Sequence, residues 1–394
     1  MITENDLSDE QKIVYNFVLK WVDDKTNKLL TFGGVAGSGK STLTSLLAKK
    51  INKSIAFAAF TGKAANVLRQ KLDENKVLYS YCGTIHGLIY SPIIDKISLR
   101  VIGWRKRPKI DEELIFIDEA SMLNDRMFFD LQRYGKKILA IGDHAQLPPI
   151  GSDISLMESP NLKLEETHRA AKGNPIISLS TMIRHEEDIS DFVSADNRVR
   201  FLNRNSDELG EFAVNMYKEK ETRLNSVILC YFNKSRILYN TVIRKALNLK
   251  EEPEIGDVVI CLKNVPLDKD IFNGMRGFVE SSTSLKNHIF NMNIDFVDEK
   301  IKINEKVFKY QFNEEQTMKS PLDAKVFGVN VKSWDKLGLL FDYGYALTVH
   351  KSQGSSFENV IVFVERSKYQ SDDDFKRWLY TAVTRASKNL VLVY

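Results

Sequence analysis

Short runs of β-branched and apolar residues recur along this chain, set apart by stretches of helical length, and few architectures accommodate that alternation. The runs fall at 29–33, 55–60, 114–118, 137–142, 227–232, 345–349, 360–364 and 390–394, with segments such as 41–51 and 64–72 between them. A run that is apolar at nearly every position fits a strand buried on both faces, and the intervening helices supply the cover. The class is therefore α/β, with parallel sheets and helices on both sides. Such sheets bind ligands at the carboxyl ends of their strands, so chemistry is expected there.

Two regions break the alternation. Residues 87–109 carry Pro92, Gly103 and Pro108 and are rich in Ile, Leu, Tyr and Trp. They read as a small β-hairpin inserted into the first sheet. Residues 255–341 contain alternating stretches at 290–296 and 301–308, with turn-like Asn273-Gly274 and Val297-Asp298-Glu299. That pattern marks a small β-rich, barrel-like insertion. At 394 residues the chain is too long for one ordinary domain. The expected organisation is a first α/β domain from 1–86 and 110–175, carrying the hairpin 87–109, and a second from 176–254 and 342–394, carrying the insertion 255–341.

The formal net charge of +4 is too small to announce a polyanionic partner, so any such contact must come from local clusters. Cys82, Cys230 and Cys261 form no C-x-x-C pair, and the cysteines and histidines show no zinc-ligand spacing. They read as reduced thiols, with no disulfide framework and no zinc. The opening Met1-Ile2-Thr3-Glu4-Asn5-Asp6 is acidic and polar, unlike a signal or transit peptide. No run approaches the roughly 20 apolar residues of a membrane span. A soluble, cytoplasmic protein without a membrane partner is expected.

Gly34-Val35-Ala36-Gly37-Ser38-Gly39-Lys40-Ser41 matches G-x-x-x-x-G-K-[ST], placed between a predicted strand and a predicted helix, as the motif requires. The glycines let the backbone curl so that its N–H groups face phosphates, and the helix start adds partial positive charge. Gly34, Gly37, Ser38, Gly39, Lys40, Ser41 and Thr42 are the expected nucleotide-binding residues. Lys40 is placed to reach the β- and γ-phosphates, and Ser41 to ligate Mg²⁺. Asp118 and Glu119 end another apolar run. Asp118 is suited to hold Mg²⁺ through water and Glu119 to activate the attacking water. Surface acids at a strand end are common, and the pair gains meaning only beside the phosphate loop. In Gly142-Asp143-His144-Ala145-Gln146-Leu147-Pro148-Pro149, Gln146 follows a third strand and suits a γ-phosphate sensor. ATP and Mg²⁺ are the implied cofactors.

The motif series as a whole resembles superfamily 1 helicases. In order it shows Gln11, the phosphate loop, Phe60-Thr61-Gly62-Lys63-Ala64-Ala65, Thr84-Ile85-His86, Asp118-Glu119-Ala120-Ser121, Gly142-Asp143 with Gln146-Leu147-Pro148-Pro149, Thr167-His168-Arg169, Thr348-Val349-His350-Lys351-Ser352-Gln353-Gly354 and Tyr380-Thr381-Ala382-Val383-Thr384-Arg385-Ala386. The Gln-Leu-Pro-Pro and Thr-Val-His-Lys-Ser-Gln-Gly forms look like the 5′→3′ RecD and Pif-type branch. Chain length and small insertions look most like phage helicases of the Dda type. The resemblance implies two RecA-like motor domains and ATP-driven unwinding of DNA. It implies that Gln11 reads the adenine edge, and that Arg169 and Arg385 are arginine fingers acting on the γ-phosphate when a cleft closes.

The resemblance also places Phe60, Thr61, Lys63, Thr84, His86, Thr348, His350 and Lys351 along single-stranded DNA. An aromatic ring stacks a base there, and hydroxyls and cations take phosphates. Phe60 as a plain core residue, and the two histidines as structural ones, stay open on the residues alone. The densest basic cluster, Arg105-Lys106-Arg107-Pro108-Lys109, lies with Trp104 in the hairpin. In related helicases that hairpin is a pin that splits the duplex. A solvated charged loop is the alternative. Expected partners are single-stranded and forked DNA, with replication or single-strand-binding proteins. One chain carries both halves of an ATP cleft, so a monomer suffices. Two other functions fit the same motifs: an RNA helicase of the Upf type, and a nucleic-acid clamp that uses ATP only as a switch.

Overall fold

The computed structural model describes residues 3–94, 101–149, 151–152, 154–167, 173–190, 192–265, 271–286 and 288–394. It divides into two compact units, residues 1–187 and 188–394. The division falls twelve residues beyond the boundary expected at 175. The reason is local: helix Pro175–Arg184 remains with the first unit, where Arg184 pairs with Glu165.

The first unit is built on a six-stranded parallel sheet in the order Tyr81–Thr84, Ile55–Ala59, Leu114–Asp118, Lys137–Gly142, Leu29–Gly34, Leu162–Leu164. Successive side chains of a strand point to opposite faces, and both faces here are buried. Leu30, Phe32, Phe57, Phe116, Leu139 and Ile141 enter one core with the helices Asp9–Asp23 and Lys40–Lys50. Ala56, Ala58, Ile115, Ile117, Ile138 and Ala140 enter the other. That two-sided burial explains runs that are apolar at nearly every position. Helix Asp9–Asp23 starts at a capping box between Ser8 and Gln11 and buries Val14, Val18, Trp21 and Val22 at helical spacing.

The hairpin pairs Tyr90–Ile94 with Val101–Lys106. Its base is well anchored. The buried Asp130 carboxylate takes the Tyr90 hydroxyl at 2.5 Å and the Lys106 ammonium at 2.6 Å. The Arg107 Nε donates to Gly87 O and Tyr90 O, and the Tyr134 hydroxyl lies 2.9 Å from both Ile89 O and Arg107 O. Lys106 and Arg107 thus brace the base of the hairpin, and the exposed Lys109 pairs with Asp111. The hairpin tip, 95–100, lies outside the described residues.

The second unit holds a five-stranded parallel sheet in the order Ala346–Thr348, Ser226–Cys230, Phe357–Phe363, Ala386–Val393, Val199–Leu202. Between its strands is inserted an antiparallel sheet in the order Ile301–Phe308, Ile289–Phe296, Arg276–Lys286, Val258–Cys261, Phe341–Tyr343. A bridge between Val307 and Leu339 joins the first of these strands to the residues leading into the last, which closes the sheet into a small barrel. Val259, Val279, Phe290, Met292, Ile294 and Phe296 fill it. The buried Arg276 guanidinium ties barrel to parallel sheet through Leu224 O and Ser226 O, each at 2.9 Å.

Candidate functional site

Strand Leu29–Gly34 runs into the glycine-rich loop and then into helix Lys40–Lys50. Gly37 and Gly39 take φ of +77° and +82°, the left-handed region that glycine enters without steric cost. Gly34 is required for a different reason. A Cβ there would come within 2.7 Å of Ser38 Oγ and 2.8 Å of Lys40 Cγ, displacing the lysine stem. Lys40 Nζ bonds Gly34 O at 2.5 Å and Val35 O at 3.0 Å. The Ser38 hydroxyl is buried and has no partner among the described residues. The loop borders an open cleft of about 720 Å³, also lined by Leu7, Gln11, Lys71, Asn75, Asn174 and Ile177. Ser41 and Thr42 line it half-buried. Lys71 was not anticipated: its Nζ donates to Ser41 Oγ at 3.0 Å.

The neighbouring strands bring acids to the same sheet edge. Asp118 ends Leu114–Asp118, and its Oδ1 accepts the Glu119 N–H at 3.0 Å. Glu119 has φ of +54°, a conformation that costs a non-glycine residue about 1–3 kcal/mol and gathers at functional sites. It turns the chain sharply at the strand end. Strand Lys137–Gly142 lies between the Asp118 strand and the loop strand. It delivers the buried Asp143, whose carboxylate takes the Ala145 N–H at 3.0 Å and Gln146 Nε2 at 3.4 Å. Gln146 is buried, and its Oε1 has no partner among the described residues. A hydroxyl and a carboxylate, completed by substrate phosphates and water, are the hard oxygen set that Mg²⁺ prefers. Among the described residues no cluster of His, Cys, Asp and Glu forms an all-protein metal cage.

The AAA domain family matches residues 6–204, just over half of the chain, and the UvrD-like helicase C-terminal domain matches 343–393. The chain belongs to the superfamily 1 helicases of the RecD2 and Pif1 type. It is similar to the ATP-dependent DNA helicase Pif1 of Campylobacter jejuni, 26% identical over 94% of this chain and 91% of that one. It is similar to the RecD2 helicase of Deinococcus radiodurans, 25% identical over 91% of this chain but only 46% of the longer relative. The solved structure of Bacteroides Pif1 bound to single-stranded DNA shares the fold, with a TM-score of 0.55 at 19% identity over 100% of this chain and 92% of that one.

In this helicase the first unit's remaining motif residues gather at the ends of two paired strands. Phe60 follows Ile55–Ala59 and is half-buried, outside the core. The Thr61 hydroxyl caps helix Gly62–Glu74 through Ala64 N, with Lys63 half-exposed beside it. Thr84 is buried and caps the next short helix through Gly87 N at 3.0 Å. The His86 ring packs edge-on against Trp104 at 4.4 Å and tilted against Tyr90 at 4.7 Å. Burial holds His86 below the usual histidine range, and the Arg126 charge adds to that. Trp104 pairs with Pro92 and is 38% exposed. It thus joins the hairpin to the His86 corner.

Gln11 lines the same cleft as the phosphate loop. Its Oε1 accepts Ser8 N–H at 3.1 Å and its Nε2 donates to Ser38 O at 3.0 Å, so the amide is anchored on the phosphate loop. Arg169 lies outside the described residues.

In the second unit, Thr348 ends its strand buried, and His350 and Lys351 follow half-buried. Burial lowers both pKa values, His350 below its usual range and Lys351 to about 8. Arg385 is buried, donating from Nε to Thr381 O at 3.1 Å and from Nη1 to Ser355 O at 3.0 Å. It therefore shapes the loop after Gly354. Sequence reasoning overlooked Tyr231 and Phe232. They follow Ser226–Cys230 as Phe60 follows its strand, and the Tyr231 ring lies 6.5 Å from His350. The Glu365 carboxylate holds this turn, accepting Tyr231 N–H at 3.0 Å, Phe232 N–H at 3.2 Å and the Ser235 hydroxyl at 2.6 Å. An aromatic pair closing the apolar run 227–232 was the available signal.

Proposed function

We propose that this protein is an ATP-dependent DNA helicase that moves 5′→3′ along single-stranded DNA and unwinds duplexes. The observation that carries it is the phosphate loop, with Asp118, Glu119, Asp143 and Gln146 delivered to the same edge of one parallel sheet. Lys40 grips the β- and γ-phosphates, and Ser41 and Asp118 hold Mg²⁺, which neutralises charge developing on those phosphates. Glu119 takes the proton of the attacking water, and Gln146 reports the γ-phosphate. Arg169 and Arg385 supply cationic charge to the transition state. Phe60, Thr61, Lys63, Thr84 and His86 on the first unit, and Thr348, His350 and Lys351 on the second, hold the strand alternately. Trp104 and the exposed Ile93 and Ile94 of the hairpin meet the duplex at the fork.

The proposal extends to a monomer working on forked DNA beside replication and single-strand-binding proteins, in the cytoplasm of a bacterial or phage-infected cell. Among the described residues no helix is long and apolar enough to cross a membrane. Kinship with phage helicases of the Dda type is part of this reading, and the small size of the two insertions supports it. The test uses two partial duplexes, identical except for a 5′ or a 3′ single-stranded tail, with Mg-ATP and a trap for released strands. Only the 5′-tailed substrate should open, and phosphate release should rise with single-stranded DNA. Preference for the 3′ tail would reverse the assigned direction.

A further inference from the structure

The first turn of helix Asp9–Asp23 joins loops that no sequence motif connects. Three adjacent strands, Lys137–Gly142, Leu29–Gly34 and Leu162–Leu164, end respectively in the sensor loop, the phosphate loop and the segment 165–167. Two consecutive residues of the helix reach two of these. The Glu10 carboxylate accepts the Glu165 N–H, at 2.9 and 3.0 Å to its two oxygens, and the Glu166 N–H at 3.1 Å. Gln11 donates from Nε2 to Ser38 O. One neighbour of the Gln11 amide is an N–H and the other a carbonyl, which fixes which end is oxygen.

The third loop is reached one step further on. The Glu165 carboxylate takes His144 Nε2 at 2.9 Å and pairs with Arg184, which also donates to Glu165 O at 3.4 Å. His144 stands between Asp143 and Gln146 in the sensor loop. A carboxylate on two successive backbone N–H groups is a strong, directional restraint. Phosphoryl transfer depends on such positioning more than on covalent chemistry by the protein.

We propose that Glu10 and Gln11 are positioning residues for ATP hydrolysis. Gln11 sets the phosphate loop through Ser38. Glu10 sets the loop bearing Asp143 and Gln146, acting through Glu165 and His144. The proposal rests on the ATPase reading of this site, and it gives Gln11 a task independent of the base.

The test is steady-state ATPase of the full chain with single-stranded DNA, using inorganic tripolyphosphate as a competitor that has no base. Gln11→Ala should raise the KM for ATP and the inhibition constant of tripolyphosphate by the same factor, about tenfold. Glu10→Ala should lower kcat about tenfold with KM nearly unchanged. Glu10→Gln, which keeps one acceptor oxygen, should recover part of that loss, and it carries the test should Glu10→Ala not fold. A raised KM with an unchanged tripolyphosphate constant would make Gln11 an adenine reader and overturn its half. Wild-type kcat in both Glu10 variants would overturn the other half. Lys40→Ala separates the levels: normal hydrolysis there sinks the ATPase reading itself. An inactive Lys40→Ala beside unaffected Glu10 and Gln11 variants removes only the brace.

Discussion

Raising the pH from 7 to 9 should discharge Lys351, the cation proposed to hold DNA on the second unit, well before ordinary lysines titrate. Burial brings the Lys351 ammonium down to about 8, the Arg236 charge adds to the depression, and Asp342 opposes it. With that value the side chain is about nine-tenths charged at pH 7 and about one-tenth at pH 9. The neighbouring His350 and the buried thiols Cys82 and Cys261 do not gain or lose charge appreciably in this window. Burial lowers His350, so it is already neutral, and it pushes the Cys82 and Cys261 thiols up to about 11 and about 12. The sign follows from linkage. A DNA phosphate favours charged Lys351, so binding takes up a proton, and affinity falls as pH rises through about 8. One cation on a single strand contributes about 0.7 to the salt slope; to the extent that Lys351 stays neutral in the complex at pH 9 the slope flattens, by at most about 0.6, and to the extent that binding re-protonates it the loss appears in affinity instead. Affinity itself should weaken up to about tenfold by pH 9. Fluorescence anisotropy of a labelled oligonucleotide, titrated at several salt concentrations across this range, reads both quantities. Lys351→Arg keeps its charge and should show neither change. If the two proteins share one pH and salt dependence, Lys351 does not face the DNA backbone.

Three further outcomes are expected. Glu119→Gln should keep ATP binding but lose about 10²–10⁴-fold in turnover, since no carboxylate remains to take the water's proton; single-turnover phosphate release at the wild-type rate would remove Glu119 as base. Arg385→Lys keeps a charge but not the fork that holds Thr381 O and Ser355 O, and should cut DNA-stimulated kcat by at least about 10²-fold while binding DNA normally; unchanged stimulation would leave Arg385 a loop-shaping residue only. Shortening the hairpin between Pro92 and Trp104 should spare DNA-stimulated ATPase and slow unwinding of a forked duplex, and undiminished unwinding would make the hairpin structural.

What the sequence made legible was set by burial and by distance along the chain. Central strands such as Leu114–Asp118 and Lys137–Gly142 are covered on both faces, so their apolar runs stand out. The overlooked strands Tyr81–Thr84, Leu162–Leu164 and Val199–Leu202 are all sheet edges, three or four residues long, and carry Gly83, Lys163 and Arg200. Less burial leaves a weaker pattern. The site divides in the same way. Lys40 and Ser41 act within one loop, and their spacing announces them. Glu10 meets Glu165 across 155 positions, Glu365 meets Tyr231 across 134, and Lys71 meets Ser41 across 30. Contacts of that span depend on sheet order, which no local pattern encodes. Gln11 was legible as a residue of the nucleotide site, but its anchor on Ser38 O depends on the fold in the same way.

The two units repeat one local construction with different chemistry, and that difference bears on direction. In the first sheet Ala59 pairs with Thr84, so Phe60 comes next on one strand and His86 two residues later on the other. In the second, Cys230 pairs with Thr348, and Tyr231 and His350 occupy the same offsets. Each sheet therefore ends in an aromatic ring beside a Thr-x-His corner. A motor built from two identical grips has no preferred sense, because closing the cleft would load both equally. These grips are not identical. The Thr84 hydroxyl is engaged in a helix cap and His86 is packed by Trp104, which leaves a rigid, mainly apolar hold. At the second corner Glu365 fixes the aromatic turn and half-buried Lys351 adds a cation that phosphate contact would strengthen. On the proposed reading, the first grip relies more on packed rings, beside the half-exposed Lys63, and the second more on the half-buried Lys351 cation. Salt should then weaken the second more than the first, so translocation should lose steps at high ionic strength before ATP hydrolysis does. Equal salt sensitivity of stepping and hydrolysis would argue that both corners hold DNA by the same means.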